Sequence, residues 1–220
     1  WRRLEIMAAD ALIDGINTVT GEGYAGVTVN YGRTAGHSVT LTSGDRWGES
    51  GISPIANLAT WSTTFLRNSG LPVTDIFVDT DAWNYIKADP AFKDSIDTTL
   101  RGSDATAQFF VTAMEGAQLV GMLNNTTRIW LYANWYVDPA DDTEKVVLPQ
   151  YSVLLGNDSP DGAQSACFGA IPDPDLGYPA EMFAAKSWVE NDPAQRILLG
   201  QSCPLTVLSR PDATFYAKVR

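Results

Sequence analysis

The stretch TRIWLYANWYV, residues 127–137, constrains the fold more than any other part of the sequence. Successive side chains of a strand point to opposite faces, and here both faces carry large apolar or aromatic groups. Such a strand must be covered on both sides, or must present one face to a partner. We therefore expect one continuous strand over 127–137 inside a layered α+β protein.

Local signals predict three helices around this strand. An amphipathic helix occupies the first residues and ends at Gly15. A second begins at the N-cap and first-turn pair Ser53-Pro54 and ends at Gly70. Thr80 is expected to cap a third helix that runs through Ala88, and Pro90 to open another short helical stretch.

Further strands are predicted from alternating or continuous apolar runs. The segment 138–144 is expected to be the turn of an antiparallel hairpin, and 156–179 to be mostly loop. The predicted strands cover 26–32, 37–42, 74–79, 145–149, 151–156, 196–209 and 213–219.

Charge and composition exclude several classes of partner. The formal net charge is −11, and no run of basic residues is present. Proteins that grip nucleic acid need clustered Lys and Arg, so we expect no specific binding to nucleic acid. No apolar stretch is long enough to span a bilayer, and we expect no membrane partner. The two cysteines, Cys167 and Cys203, are expected to be unpaired, although the sequence leaves a disulfide open.

Candidate catalytic and metal-ligating residues are few. His37 is the sole histidine and is predicted to lie at a strand edge, without the motif that accompanies a serine nucleophile. Asp75, Asp79 and Asp81 bracket a strand end, where helix capping is the favoured interpretation and a metal-dependent hydrolase the weaker one. The acidic loop 138–144 lacks the ligand pattern of a calcium-binding loop. We expect no enzyme activity and no cofactor.

Two groups of apolar residues are candidate intersubunit contacts. Ile6 and Ile13 lie seven residues apart on the otherwise polar side of the first helix, where a wider core stripe is the alternative. Trp130, Tyr132 and Tyr136 share one face of the predicted strand. An alternative role for these three aromatics is a platform in a β-rich module that binds glycans or single-stranded nucleotides.

Four ordered segments resemble lambda-type major capsid proteins of tailed phages. They are TGEGYAGVTVNYGRT after the first helix, FVDTDAWNYIKADPAFKDSIDTTLRG, LPQYSVLLGN followed by CFGAIPD, and KSWVENDPAQRILLGQSCPLTVLSRPDATFYAKV at the end. The last includes the Asp192-Pro193 step, the Gln201-Ser202 pair and the turn 210–212. The four lie in the family's order and span nearly the whole chain.

The resemblance implies the fold of tailed-phage capsids, with a peripheral domain that carries a spine helix and long strands, and an inserted axial domain. Residues 1–72 with 203–220 would be peripheral and residues 73–202 axial. The implied function is a structural subunit of a phage or prophage shell. Copies of it would form pentamers and hexamers that enclose DNA, with a decoration protein as a further partner. The implied location is the virion capsid, assembled in the cytoplasm of the bacterial host.

The start of the chain leads to one prediction about self-association. It opens at Trp1 without a methionine, and the family's N-terminal arm, extended loop and most of its spine helix have no counterpart here. In the family those parts make many of the contacts between subunits. We therefore expect residues 1–220 alone to be monomeric or weakly associated. Sedimentation velocity over a concentration series measures this, and stable closed shells would contradict it.

Overall fold

The computed structural model describes residues 2–21, 24–92, 113–114, 116–123, 126–138, 141–159 and 164–220. Its helices are α1 (Arg2–Asp14), α2 (Pro54–Ser69) and α3 (Thr80–Ala88). None of the described helices combines the length and the apolar character that a membrane crossing needs.

A mixed seven-stranded sheet is the centre of the fold. Its strands lie in the order β3-β15-β10-β4-β7-β6-β5. β3 is parallel to β15 and β4 is parallel to β7, while the other neighbours are antiparallel. The strands are β3 (Ser38–Thr40), β4 (Asp75–Val78), β5 (Ala113–Met114), β6 (Ala117–Leu123), β7 (Thr127–Tyr132), β10 (Ser152–Gly156) and β15 (Thr214–Lys218).

Four antiparallel two-stranded sheets surround the central one. They are β1 (Ile16–Gly21) with β2 (Tyr24–Asn30), β8 (Trp135–Val137) with β9 (Glu144–Val146), β11 (Gln164–Phe168) with β14 (Pro204–Leu208), and β12 (Ala184–Asn191) with β13 (Ala194–Gln201). The Tyr31 hydroxyl, just after β2, donates to the carbonyl of Thr206 in β14, which ties two of these small sheets together.

The main hydrophobic core lies between α2, α3 and one face of the central sheet. Leu58 and Phe65 of α2 are fully buried against Ile76, Val153 and Phe215, which come from three neighbouring strands. Trp61 stacks on Trp47 and on Phe215, with ring centroids 6.0 and 5.7 Å apart. Strands distant in sequence are therefore held in one core.

The helix ends lie where their capping residues predict. Ser53 accepts a hydrogen bond from the Ala56 amide at 3.3 Å, Pro54 occupies the first turn, and Gly70 ends α2 with a φ of 73°. The third helix is capped one residue earlier than expected. Asp79, not Thr80, is the N-cap, because its carboxylate accepts from two amides of the first turn.

The predicted single strand over 127–137 is wrong. It divides at Ala133-Asn134 into β7 and β8, which belong to different sheets. The Asn134 side chain accepts from the Trp135 amide at 3.0 Å, and its carbonyl accepts from Val147. These bonds replace the continuation of the ladder of β7.

The predicted strand over 196–209 also divides, into β13 and β14. Pro204 has no amide proton to continue a ladder, and Ser202 turns away to donate to the Met182 carbonyl at 2.7 Å.

The expected loop 156–179 contains β11, which pairs with β14. The predicted hairpin about 138–144 is present as β8 and β9. The short helical stretch expected after Pro90 lies mostly outside the described residues.

The expected domain boundary at residues 72 and 73 lies between α2 and β4, which share one core. β3 and β15, on the peripheral side of that division, are in the same sheet as β4 and β10. The two parts are therefore joined by one continuous sheet and not by a linker.

The cap of α3 provides a test of this local structure. Asp79 is buried, and its carboxylate accepts from Asp81 and Ala82 at 3.1 and 3.0 Å and from the Ser152 amide of β10 at 3.1 Å. We expect Asp79→Ala to lower the free energy of unfolding by about 2 kcal/mol, since it removes an N-cap and leaves buried amides unpaired. Urea denaturation measures the change. Asn84→Ala, an exposed position on the same helix, is the control and should have little effect.

Candidate subunit interface

The ribbon, defined as β12 and β13, exposes apolar side chains on a two-stranded sheet. Eight residue pairs join its strands, from Ala184–Gln201 to Asn191–Ala194. Leu198 is 77% exposed and Val189 58% exposed. An isolated two-stranded hairpin is only marginally stable in water, and clustered exposed apolar residues are typical of interaction sites. The ribbon is therefore a candidate contact with another molecule.

The two faces of the ribbon differ in exposure. One carries Trp188, Ile197 and Leu199, which are 38% exposed, half-buried and 37% exposed. The opposite face, here called the open face, carries Ser187 beside Leu198, and Val189 beside Arg196. Val189 and Leu198 on the open face are more exposed than the large apolar side chains on the other face.

The root of the ribbon is fixed to the preceding loop by charge and by close packing. The ammonium of Lys186 lies 3.1 Å from both carboxylate oxygens of Asp173 and also pairs with Asp175. The Lys186 hydrogen bond lowers the pKa of Asp173. On the open face, the Phe183 ring lies over Gly200, where a Cβ would be 2.7 Å from the ring. Only glycine allows Phe183 to pack there.

The groove, the second candidate surface, lies between α1 and the face of the central sheet opposite the main core. Its volume is about 200 Å³, and its lining is apolar except for Glu5 and the hydroxyl of Tyr132. The other lining residues are Ala8, Ala9, Leu12 and Ile13 of α1, Phe77 of β4, Tyr132 of β7, Val147 and Leu148 after β9, and Leu154 of β10.

The groove results from small residues on α1 facing large ones on the sheet. Phe77 pairs in register with both Leu154 and Trp130 and stacks on Trp130, with centroids 6.4 Å apart. Tyr132 meets the edge of Phe77 at 6.3 Å. The side chains of Ala8 and Ala9 are too short to fill the space above this aromatic cluster.

One acidic residue of α1 lines the groove, and two others lie elsewhere on the same helix. Glu5 is the lining residue, and Asp10 and Asp14 lie further along. Burial, and then the neighbouring charge of Asp14, raise the pKa of Asp10. Burial and the charge of Asp10 likewise raise the pKa of Tyr136. Of these acidic groups only Glu5 is at the groove, and it is the one that suits a cationic partner group.

The structure brings together most of the predicted contact residues around the groove. Ile13 and Tyr132 line it, and Trp130 lies beneath it. Ile13 and Trp130 are buried within the chain, while Ile6, Tyr132 and Tyr136 are half-buried. Tyr136 is on β8, in a different sheet from Trp130 and Tyr132, so the three aromatics do not form one flat platform.

Trp130 is held in place by a buried carboxylate. Asp75 accepts from the indole nitrogen of Trp130 at 2.7 Å and binds Arg128 through two hydrogen bonds, at 2.7 and 2.8 Å. Burial raises the pKa of Asp75, but hydrogen bonds from Arg128, Thr74 and Trp130 outweigh it, and the net pKa is lowered. Arg128 also pairs with Asp158. Asp75 is thus a structural anchor between β4 and β7.

The candidate catalytic residues serve structure in the described part of the chain. His37 is not at an exposed strand edge. It is fully buried, with Nδ1 2.9 Å from the Thr214 carbonyl and Nε2 2.9 Å from the Asn68 amide nitrogen. Cys167 and Cys203 are free thiols. Among the described residues, no group of His, Cys, Asp and Glu is arranged to hold a metal ion.

Sequence reasoning missed the ribbon and the groove. The Asp192-Pro193 step between the two strands was a signal for a turn, because an aspartate before a proline favours turn initiation. No sequence signal predicts the groove, which depends on which residues of α1 face the sheet.

Comparison with solved structures gives the fold. The structure matches a crystal structure of the putative capsid protein of a prophage from Escherichia coli CFT073 with a TM-score of 0.79, at 24% identity, over 100% of this chain and 63% of that one. It matches a phage-related protein from Bordetella bronchiseptica RB50 with a TM-score of 0.51, at 15% identity, over 97% of this chain and 61% of that one. The fold is that of the prophage capsid protein.

Sequence relatives agree with the fold. The chain is 29% identical to the major capsid protein of Escherichia phage lambda, over 94% of this chain and 60% of the relative. It is 28% identical to the major capsid protein of Enterobacteria phage phi80, over 98% of this chain and 62% of that relative. The family model described as phage major capsid protein E matches residues 1–219, and the chain belongs to that family. It spans about three fifths of the length of these relatives.

The alternative role as a glycan- or nucleotide-binding module is not supported. The relatives are capsid proteins, and Trp130, the centre of the expected platform, is buried with its indole nitrogen bonded to Asp75.

The Asp75 anchor gives a test that uses pH. We expect Asp75→Asn to lower the free energy of unfolding by about 1–2 kcal/mol at pH 7, a modest loss because Arg128 stays partly solvated. Since the folded pKa of Asp75 is lowered, its contribution is present above the unfolded pKa of about 3.9 and is lost as pH falls below it. Urea denaturation at pH 7 and near pH 3 should therefore show the difference between the two proteins shrink in acid. A difference that stays constant would contradict this role.

Proposed function

We propose that this chain forms the folded body of a phage or prophage capsid subunit, whose copies assemble into pentamers and hexamers of an icosahedral shell that encloses DNA. The observation that carries the proposal is the family match over residues 1–219. Because the chain spans only part of its relatives, the function of the whole protein comes from them by inference. The exposed ribbon and the apolar groove support it, since a self-assembling subunit needs apolar surface for other copies.

The proposed role is structural and not catalytic. The features that would serve catalysis are used inside the fold: His37 is buried between Thr214 and Asn68, Asp75 anchors Trp130, and Asp79 caps α3. Each of these groups has hydrogen-bond partners within the chain.

We also propose that two parts of the chain occupy different positions in the capsid subunit. Residues 1–72 with 203–220 would form the peripheral part and residues 73–202 the axial part, with α2 packed in the core that the two parts share. Tyr132, which lines the groove, and Ile6 and Tyr136, which are also half-buried, would take part in contacts between subunits. Ile13 and Trp130 would support that surface from below.

The net charge of −11 suits a wall that does not adsorb the packaged genome. A dominant basic patch on the inward face of the shell would count against this part of the proposal. Assembly in the bacterial host cytoplasm and binding of a decoration protein follow from the family resemblance alone.

The test of this function is the composition of particles. We expect expression of the gene that encodes this chain, in its bacterial host, to yield icosahedral particles visible by electron microscopy. Peptides from residues 1–220 should be the most abundant in mass spectra of the purified particles. Particles whose main shell protein lacks these peptides, or a gene product found only as a dispersed protein, would contradict the proposal.

A further inference from the structure

We propose that the open face of the ribbon of one copy docks into the groove of a second copy. The inference rests on the proposed function as a self-assembling subunit and names the surfaces that meet. Both surfaces lie on the described part of the chain, and no ribbon residue lines the groove of its own copy.

The open face offers apolar side chains of the right kind. Phe183, Val189 and Leu198 are 60%, 58% and 77% exposed. They form a continuous stripe, because Phe183 lies over Gly200 and the other two follow along the same face. Covering this stripe removes apolar surface from water, which is the main driving force of association.

The groove has the size and chemistry to receive part of that stripe. An apolar cavity on the order of 150 Å³ accepts a benzene ring. The groove, at about 200 Å³, can therefore hold a branched aliphatic or aromatic side chain. Its floor of Phe77, Tyr132 and Leu154 offers no hydrogen-bonding group beyond the Tyr132 hydroxyl. Leu198, at the middle of the stripe, suits it best.

Charge complementarity selects the orientation. Arg196 lies beside Val189 on the open face, directly opposite it in the register of the ribbon. Glu5, an exposed carboxylate, lines the groove. Arg196 lies two residues from Leu198 on the same face of the ribbon, so docking of Leu198 into the groove directs the guanidinium toward Glu5. A bidentate pair between arginine and a carboxylate adds directional preference to the apolar contact.

The contact joins two different surfaces, so it is heterologous. Such a contact leaves a free ribbon on one copy and a free groove on the other, and its repetition gives a ring where the rotation closes and an open filament where it does not. Rings of five or six copies are the units of the shell proposed above. The ribbon and groove thus account for a weak contact between copies, in keeping with the weak association expected of residues 1–220 alone.

Cysteine cross-linking between two single-cysteine proteins tests the contact. Both carry Cys167→Ser and Cys203→Ser, one with Leu198→Cys in the ribbon and the other with Ala9→Cys in the groove. Under mild oxidation we expect a mixed disulfide dimer to form about tenfold faster than with Asn84→Cys, on α3, in place of Ala9→Cys. Equal rates, or faster pairing of Leu198→Cys with itself, would overturn the proposal.

Charge reversal provides a second measurement that keeps the native cysteines. We expect Arg196→Glu to weaken self-association roughly fivefold, measured by sedimentation equilibrium, and Glu5→Lys combined with Arg196→Glu to restore most of it. Arg46→Glu, an exposed position in a loop, is the matched control for the change in net charge. The pairing of Arg196 with Glu5 would be contradicted if Glu5→Lys did not restore self-association, or if Arg46→Glu weakened self-association as much as Arg196→Glu.

These outcomes separate the two proposals. Particles built from this chain together with no preferred cross-link would leave the capsid function in place and remove only the docking of ribbon into groove. A preferred cross-link without particles would leave the docking of ribbon into groove in place and remove the capsid function.

Discussion

Coverage of both faces of the central sheet is the constraint on which the rest of the structure depends. One face is buried by α2 and α3, through fully buried residues such as Leu58, Phe65 and Ile76. The other face carries Phe77, Trp130 and Tyr132 and is covered by α1 only in part. The groove is the part of this second face that α1 leaves open. The same two-sided pattern of large side chains that defines the sheet therefore also creates a candidate interface.

The sheet also joins strands that lie far apart in the sequence. β15, close to the end of the chain, lies between β3 and β10, and β10 lies between β15 and β4. A boundary drawn between peripheral and axial parts thus crosses hydrogen-bonded strands. Residues on the two sides of that boundary share one core, and we expect a core substitution on either side to destabilise both.

Local features of the fold could be predicted from sequence, and nonlocal ones could not. The ends of α2 depend on Ser53, Pro54 and Gly70, which act within their own turn of helix, so the sequence was sufficient there. The division of 127–137 depends on bonds from Asn134 to Trp135 and Val147. A periodic pattern does not show that a side chain will end a ladder. The groove could not be predicted from the sequence for the same reason, because it forms only where Ala8 and Ala9 of α1 face Phe77 of the sheet. The family, in contrast, was correctly predicted, because ordered motifs persist over the whole chain.

The ribbon pairs only with itself along most of its length, and this gives it a freedom that the central sheet lacks. Adding two residues to each of its strands would keep every side chain on its original face, because the side-chain period of a strand is two. Each such addition would extend the ribbon by about 7 Å without disturbing Ile76, Phe215 or any other core residue. Subunits of one core design could in this way reach neighbours at different spacings. The curvature of an assembly would then be adjustable through the length of a single hairpin.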